Sequence, residues 1–436
     1  TSPYDGWQSG WVGGGMATLP LLVDGNSVSQ ARAATNLDWL VGPGQAPSGW
    51  FYGIIHEGRS YGDGFGRPGT ERWLLTRKSA DVLYFLAKQI LAKPDHPSVV
   101  AWRAGLQGCA EAMARTWRAH GELGQFIDHD SGVVLVPGSA AGAIAPAGLA
   151  LAAGILGRSD FLTLADEMAL SDQQRWVARG LSTGGPGEIL QGPDSESAFA
   201  LLESAVVLAQ VTGAAGWWQR AAEAACLAIT WVFAWDFPFP KTSTFGALAM
   251  RARGTVWANV QNKHSAPGIC TLSGDSLLRL ARATGDLRWL DILRGIARAL
   301  PQYLSRADRP IKDLPPGWMC ERVNTSDWER SWCPPGEVFH GSCWCEVSLL
   351  LTRVEVPGVY VRRDLGRCWA FDHVDVTLDD QALTLTNPTN FPASVRVLVE
   401  DGEQAARVLP VTAVAGLPQV TIPAGKSVRW PLSAGK

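Results

Sequence analysis

The sequence predicts a mainly α-helical unit built from helical hairpins, followed by a small antiparallel β-sandwich. A phrase of helix, glycine turn and second helix covers residues 208–218 and returns over residues 280–290. A looser copy covers residues 151–162. Near Val354 the helical periodicity ends, and short alternating segments separated by turn residues begin. We therefore expect a helical unit over residues 1–353 and a β-unit over residues 354–436.

The individual elements follow from apolar spacing and from turn signals. In residues 197–211, Phe199, Leu202 and Val206 recur at helical spacing and mark one face. Gly213 and Gly285 can take the left-handed conformation that ends a helix. Similar patterns predict helices near residues 18–40, 79–92, 98–120 and 346–352. Alternation between turns predicts strands over residues 374–378, 382–386, 394–400, 419–422 and 427–432.

Length and composition bound the class of protein. The chain has 436 residues, of which 46% are hydrophobic and 18% charged, and this suits a globular protein with a large interior. A net charge of -3 without basic runs gives no reason to expect a nucleic-acid partner. Apolar stretches are broken by Gly and Pro, so we expect buried helices and no membrane span. The chain opens at Thr1 in polar sequence without a secretory signal.

Four of the eight cysteines cluster near the end of the helical unit: Cys320, Cys333, Cys343 and Cys345. The cluster lacks paired CxxC spacing, so we expect disulfides or plain thiols, with a zinc site as the alternative. Because disulfides indicate an oxidising compartment, a secreted or periplasmic location is favoured. We predict no metal and no cofactor for the reaction itself.

Long polar segments that carry glycine and tryptophan precede the predicted hairpins, at residues 48–73, 126–142, 183–197, 256–275 and 320–346. If the hairpins close into a ring, the ends of these segments meet at one mouth. The chain has 20 tryptophans, whose flat rings pack against the C–H faces of sugars and also fill protein cores. The sequence therefore predicts a sugar-processing site at this mouth.

The chain resembles the six-hairpin, or (α/α)6-toroid, glycosidases over about residues 15–353. The resemblance rests on the phrase Thr-Gly-Asp-x-x-Trp-Leu at residues 284–290, its relative at residues 212–218, and the order of helical and β-units. It implies that the helix before each Thr-Gly turn belongs to an inner ring. It also implies that the five polar segments lie at the open end and that the helical unit is the catalytic one.

Glycoside hydrolysis usually needs two carboxyl groups, one to protonate the leaving oxygen and one to activate water or attack the anomeric carbon. The densest acidic phrase covers residues 184–197, where glycines and prolines keep the backbone out of helix until about Ser195. We predict a catalytic pair among Asp194, Glu196 and Glu321. The structural alternative is that Asp194 or Ser195 caps the helix and that Glu196 favours its dipole.

Polar and aromatic side chains of the same segments are the predicted sugar contacts. The phrase at residues 256–268 offers alternating donors and acceptors next to a tryptophan. The predicted substrate-binding residues are Trp50, Asp63, Glu188, Trp257, Asn262, Lys263, His264, Asp327 and Trp344. Turn and packing roles are the alternatives for Asp63 and for the tryptophans. The expected partner is an oligosaccharide or polysaccharide substrate.

Two other function classes are compatible with the same segments. A polysaccharide lyase would use Lys263, His264, Arg322 or Tyr61 to neutralise a uronic carboxylate and abstract a proton. A non-catalytic glycan-binding module would bind sugar without turnover. The segments hold more acids than bases, and this favours hydrolysis over the lyase reaction.

Overall fold

The computed structural model describes residues 7–10, 14–64, 67–187, 190–260, 264–266, 268–326, 334–340 and 344–432. Its helices are α1 (Thr18–Asp24), α2 (Ser27–Val41), α3 (Thr76–Ala92), α4 (Val99–His120), α5 (Ala145–Leu156), α6 (Ser159–Arg175), α7 (Ser195–Thr212), α8 (Ala215–Ile229), α9 (Thr244–Ala247), α10 (Asp275–Thr284), α11 (Arg288–Ala299), α12 (Trp344–Glu355) and α13 (Gly402–Ala405).

The strands fall into two groups along the chain. Those among the helices are β1 (Trp7–Gln8), β2 (Ile54–His56), β3 (Arg59–Tyr61), β4 (Trp73–Leu75), β5 (Phe126–Asp128), β6 (Val134–Val136), β7 (Val256–Trp257), β8 (His264–Ala266), β9 (Arg322–Asn324) and β10 (Val338–Phe339). Those after the helices are β11 (Val359–Arg362), β12 (Arg367–Ala370), β13 (Asp375–Leu378), β14 (Ala382–Thr386), β15 (Ala393–Glu400), β16 (Gln419–Ile422) and β17 (Ser427–Pro431).

An inner ring of helices is formed by α1, α3, α5, α7, α10 and α12. Contacts run from α1 to α3, from α3 to α5, from α5 to α7 and from α7 to α10. Helix α12 contacts α1, and its Ser348 hydroxyl donates to the carbonyl of Ile269, just before α10. Helices α3 and α7 are buried on almost every side, as inner helices must be when helices surround them.

An outer layer is formed by α2, α4, α6, α8 and α11, each packed against the inner helix that precedes it. Three of the hairpin turns use Gly157, Gly213 and Gly285, whose φ values of 67, 69 and 71° are the left-handed conformation predicted for helix-ending glycines. After α12 the described chain continues into strands and not into a sixth outer helix. Within the described ranges, no helix has the length and apolarity needed to cross a bilayer.

The β-unit consists of two sheets with strand orders β12-β11-β15-β16 and β13-β14-β17. Val361, Leu383, Leu385 and Val397 belong to one apolar core that both sheets share. The pair β11 and β15 is parallel, and the long connection between the two, which contains three other strands, makes this possible. A helical toroid followed by a small β-unit is the predicted fold class, which is confirmed; this one pair departs from a purely antiparallel arrangement.

The β-unit covers the ends of the inner helices that lie away from the polar segments. Arg282, in the last turn of α10, donates to both carboxylate oxygens of Glu400 on β15 at 2.9 and 2.6 Å. Arg396 of β15 pairs with Asp24, the last residue of α1. The chain changes from helix to strand between the end of α12 and the start of β11, next to the predicted boundary. The division into two domains remains a prediction.

The five polar segments join one another at the opposite end, and we call residues 48–73, 126–142, 183–197, 256–275 and 320–346 the collar. Strands β4 and β5 connect the first and second segments, and β8 and β9 connect the fourth and fifth. Gln125, just before the second segment, donates to the carbonyl of Pro186 in the third at 3.0 Å. Asp194 and Asn259 form a β-bridge between the third and fourth. The predicted meeting of these segments is therefore observed.

Candidate functional site at the mouth of the ring

An ion pair between Arg77 and Glu196 lies where two inner helices begin, and we call these two residues the mouth pair. Arg77 is in the first turn of α3, and Glu196 is in the first turn of α7. The Nη1 atom of Arg77 contacts the Oε2 atom of Glu196, and its Nη2 atom donates to Thr271 and to the carbonyl of Cys270. The guanidinium thus connects three parts of the ring at the collar end.

Asp194 caps helix α7, so it explains how the helix starts. Its Oδ1 atom accepts from the backbone N–H of Ser197 at 2.6 Å, and its Oδ2 atom accepts from the N–H of Gly185 at 3.1 Å. A Cβ on Gly185 would lie 2.4 Å from Asp194 Oδ1, which is why glycine is needed there. Burial raises the pKa of Asp194, and the bonds from Ser197 and Gly185 oppose this rise. Because the cap is already supplied, capping does not account for Glu196.

Asp81 is a buried carboxylate that contacts Arg77 of the mouth pair from the same helix. It lies one turn after Arg77 on α3, with its Oδ2 atom 3.4 Å from the Nε atom of Arg77. Its side chain is buried, and burial raises its pKa to about 6, although the nearby guanidinium opposes the rise. Asp81 therefore changes its charge near neutral pH while in direct contact with Arg77.

Glu321 occupies a different part of the collar. It directly precedes β9, and its N–H donates to the carbonyl of Phe339 at 2.7 Å. Its carboxylate is 3.6 Å from Arg322, and both side chains are partly exposed. Cys345, at the start of α12, has a buried thiol that donates to the carbonyl of Glu321. The structure thus places this predicted catalytic residue, partly open to solvent, at the same end of the ring as the mouth pair.

Asp63 has a structural environment. Its Oδ1 atom is 2.6 Å from the ammonium of Lys78, and its Oδ2 atom accepts from the N–H of Leu75 at 2.9 Å. Both side chains are buried. This pair ties the first collar segment to the start of α3, one residue from Arg77. A sugar contact for Asp63 remains a prediction.

The predicted tryptophans have different environments. Trp50 is 1% exposed within the main hydrophobic core, and Trp344 packs in a second core cluster with Tyr303. Trp257 is half-buried, and its indole N–H donates to the carbonyl of Asn259 at 2.9 Å. Of the three, Trp257 is the ring that a ligand at the collar can reach.

Several predicted site residues lie outside the described part of the chain: Glu188, Asn262, Lys263 and Asp327. The backbone of His264 is described as part of β8, where it pairs with Asn324. Its side chain is not among the described groups.

A second group of charged residues lies deeper in the ring, and we call Tyr84, Lys88, Glu203, Asp275, Arg279 and Glu355 the axial cluster. The group comes from four inner helices, α3, α7, α10 and α12. Tyr84 donates to Glu203 at 2.5 Å, and Lys88 pairs with Glu355. Glu203 is seven positions after Glu196, which is about 10 Å along a helix. The cluster is therefore a buried polar layer below the mouth.

Glu203 is the unusual acid of this layer. Burial raises its pKa to about 7, the nearby Asp275 carboxylate adds to the rise, and Lys88 opposes it. Its Oε2 atom has no hydrogen-bond partner among the described residues. Glu203 therefore takes up a proton at higher pH than an ordinary glutamate does.

The cysteine cluster is only partly described. Cys320 and Cys345 are buried free thiols, and burial raises the pKa of Cys320 to about 12. Cys333 and Cys343 lie outside the described residues. Within the described ranges, no group of three or more His, Cys, Asp or Glu side chains is arranged to hold a metal ion.

Sequence reasoning missed Arg77, Asp81, Lys88 and Glu203. A signal was present in α3, where charged residues interrupt an otherwise apolar helix at spacings of four and seven. A charge on a helix that is buried all round needs a partner from another helix. Reading the inner helices for charges would have found the mouth pair and the axial cluster.

No protein-family model and no curated protein matches the sequence. The fold, however, is similar to solved structures. A cellobiose 2-epimerase from Spirochaeta thermophila DSM 6192 has a TM-score of 0.52 at 11% identity, covering 80% of this chain and 89% of its own. A D-mannose isomerase has a TM-score of 0.52 at 12% identity, covering 78% and 86%. A sugar epimerase from a ruminal bacterium has a TM-score of 0.50 at 10% identity, covering 80% and 91%.

These likenesses, together with the closed inner ring, establish the class of fold. The helical unit has an (α/α)6-type toroid fold, with six inner and five outer helices among the described residues, and this confirms the fold implied by the two Thr-Gly phrases. At such low identity the likeness establishes the fold alone.

Proposed function

We propose that the protein is an enzyme that acts on carbohydrate at the mouth of its toroid. The observation that carries this proposal is the mouth pair. Two inner helices from different hairpins hold a carboxylate and a guanidinium at the collar end, and the carboxylate has no capping duty. A carboxylate fixed in this way is suited to act as a base or nucleophile next to a sugar ring.

Glycoside hydrolysis is the reaction that we propose first. Glu196, which lies next to the positive charge of Arg77, is the base or nucleophile. Glu321, partly exposed on another collar segment, is the proton donor. Trp257 offers its half-buried ring to the sugar, and Asp194 positions Glu196 by fixing the start of α7.

Sugar epimerisation or isomerisation is the second candidate. It is favoured by the likeness of the fold to a cellobiose 2-epimerase and a D-mannose isomerase. Such reactions move a proton at the carbon next to a carbonyl, and a fixed carboxylate is one group that can accept it. Glu196 would be the proton acceptor in this reaction as well.

Proton NMR in D2O tests the proposal and separates the reactions. The wild-type protein is incubated with a panel of aldoses, disaccharides and hexasaccharides, neutral and uronic. Hydrolysis gives new reducing ends. Epimerisation gives a new aldose with deuterium at C2, whereas isomerisation of an aldose gives a ketose with deuterium at C1. A lyase gives an unsaturated product that absorbs in the ultraviolet. The folded protein turning over none of these compounds would contradict the proposal and favour a binding module.

A further inference from the structure

An alternating row of aromatic residues, unused by the proposed chemistry, follows helix α8. Its members are Trp231, Phe233, Trp235, Phe237 and Phe239. Phe233 is the hub, because its ring centroid is 5.4 Å from that of Phe237 and 6.4 Å from that of Trp235. It also lies 5.9 Å from the ring of Trp257, at an interplanar angle of 31°. The row therefore meets the collar at Trp257.

Core packing explains the inner end of the row. Phe239 contacts Phe245, which contacts Tyr303, and all three are buried in the second hydrophobic cluster. It does not explain the outer end. Trp235 is 64% exposed, and its ring stands at 89° to that of Phe233. Its indole continues the aromatic row from the buried cluster to the protein surface, where the ring offers a flat apolar face to a ligand.

The backbone connects this outer end with the mouth. The backbone N–H of Trp257 donates to the carbonyl of Trp231, and the backbone N–H of Phe233 donates to the carbonyl of Thr255. The next residue after Trp257 is Ala258, whose carbonyl accepts from the backbone N–H of Ser195, the first residue of α7. The strand that carries Trp257 is thus paired with the aromatic row over one part and with the start of α7 over the next.

The chain on either side of Trp235 is fixed. The N–H of Gly254 donates to the carbonyl of Phe233 at 2.9 Å. The carboxylate of Asp236 accepts from the N–H of Arg253 at 2.9 Å. Trp235 is therefore presented on a held backbone, so little order has to be gained when a ligand binds.

We propose that Trp257, Phe233 and Trp235 form a shelf that binds further sugar units of an oligosaccharide whose reacting end lies at the mouth. The inference rests on the proposed function and adds the substrate class, a pyranose chain of several units. The rings of Phe233 and Trp257 form one surface of the shelf. The ring of Trp235 stands nearly perpendicular to that of Phe233 and forms a second surface. The C–H faces of sugars can pack against either surface.

Calorimetric binding tests the shelf without depending on turnover. Cellohexaose, xylohexaose and mannohexaose are each compared with their disaccharides, using the wild-type protein and the Glu196→Gln variant. We expect at least one hexasaccharide to bind about tenfold more tightly than its disaccharide. Trp235→Ala should weaken hexasaccharide binding about fivefold to tenfold and leave disaccharide binding unchanged. Because Trp235 is exposed, its removal leaves the core intact.

Trp318→Ala is the matched control, since Trp318 is 61% exposed outside the shelf. It should leave the preference for long chains unchanged. A length preference that survives Trp235→Ala, or hexasaccharides that bind no better than disaccharides, overturns the shelf even if the enzyme is active. Loss of the preference in Trp235→Ala, in a protein without turnover, supports the shelf and contradicts the proposed function.

Discussion

The guanidinium of Arg77 joins the carboxylate of Glu196 across two inner helices that belong to different hairpins. The two residues are far apart in sequence, and each lies in the first turn of its helix. Because the hairpins form a closed ring, their first turns face one another at the collar. The pair therefore depends on the toroid itself, and the chemistry proposed for Glu196 depends on the pair.

Asp194 should contribute to stability more than to chemistry. Asp194→Ala removes the cap of α7, and we expect it to lower the free energy of unfolding by about 1–2 kcal/mol. Asn also caps helices, so Asp194→Asn should cost less and keep most of the activity. Denaturant unfolding and kcat/KM of both variants check this. A stable but inactive Asp194→Asn protein would assign Asp194 to the reaction.

Asp81 should give the pH–activity profile a step near pH 6. Its pKa is raised to about 6, so its charge next to Arg77 appears between about pH 5 and pH 7. Asp81→Asn is neutral throughout, and we expect its profile to lose this step and to resemble the wild type at low pH. The measurement is kcat/KM against pH for both proteins. An unchanged step in the variant would assign it to another group.

Glu203 should make stability fall as pH rises. The folded state raises its pKa to about 7, so between about pH 5 and pH 7 the folded protein binds more protons than the unfolded chain. Each unit of pH then costs at most about 1.4 kcal/mol, and the cost levels off above pH 7. Glu203→Gln removes this dependence, so its stability relative to the wild type should increase over that window.

Urea unfolding at several pH values measures the effect of Glu203. Glu223→Gln, an exposed carboxyl on the outer helix α8, is the control and should run parallel to the wild type. Parallel curves for Glu203→Gln and the wild type would show that folding does not raise the pKa of Glu203.

The Arg282–Glu400 pair should anchor the β-unit to the toroid. Both side chains are buried, so Arg282→Met leaves an unpaired carboxylate and should cost about 3–5 kcal/mol of unfolding free energy. The double variant Arg282→Met, Glu400→Leu should recover much of this loss. As a control, Arg294→Met breaks an exposed pair with Asp291 within the outer helix α11 and should cost less than about 1 kcal/mol. Equal losses for the two single variants would contradict the anchoring role.

Much of the fold could be predicted from local patterns. Apolar spacing and helix-ending glycines such as Gly213 and Gly285 gave the hairpins, because those signals act within one helix. The strands of the collar have only two or three residues each, and they form only because the ring brings their partners together. Strand β12 was also missed, because its four residues are not part of a longer run of alternating polar and apolar residues.

The site was less predictable, for a physical reason. A polar loop phrase identified Glu196 and Asp194, but sequence does not show which carboxylate a cap uses. That distinction needs the bonds to Ser197 and Gly185. Arg77 lies in a helix that looks apolar, and its partners come from other parts of the chain. Trp235 could not be identified from the sequence either, because its exposure depends on how its neighbours pack.

The most direct test of the central claim is the activity of Glu196→Gln on the best substrate found by NMR. The amide keeps the shape of the side chain and removes the charge, so we expect kcat/KM to fall at least about 100-fold. The control Asp160→Asn changes a carboxylate that also pairs with an arginine at a helix start, on outer helix α6, and should stay near the wild type. A folded Glu196→Gln protein with wild-type kcat/KM would contradict the account.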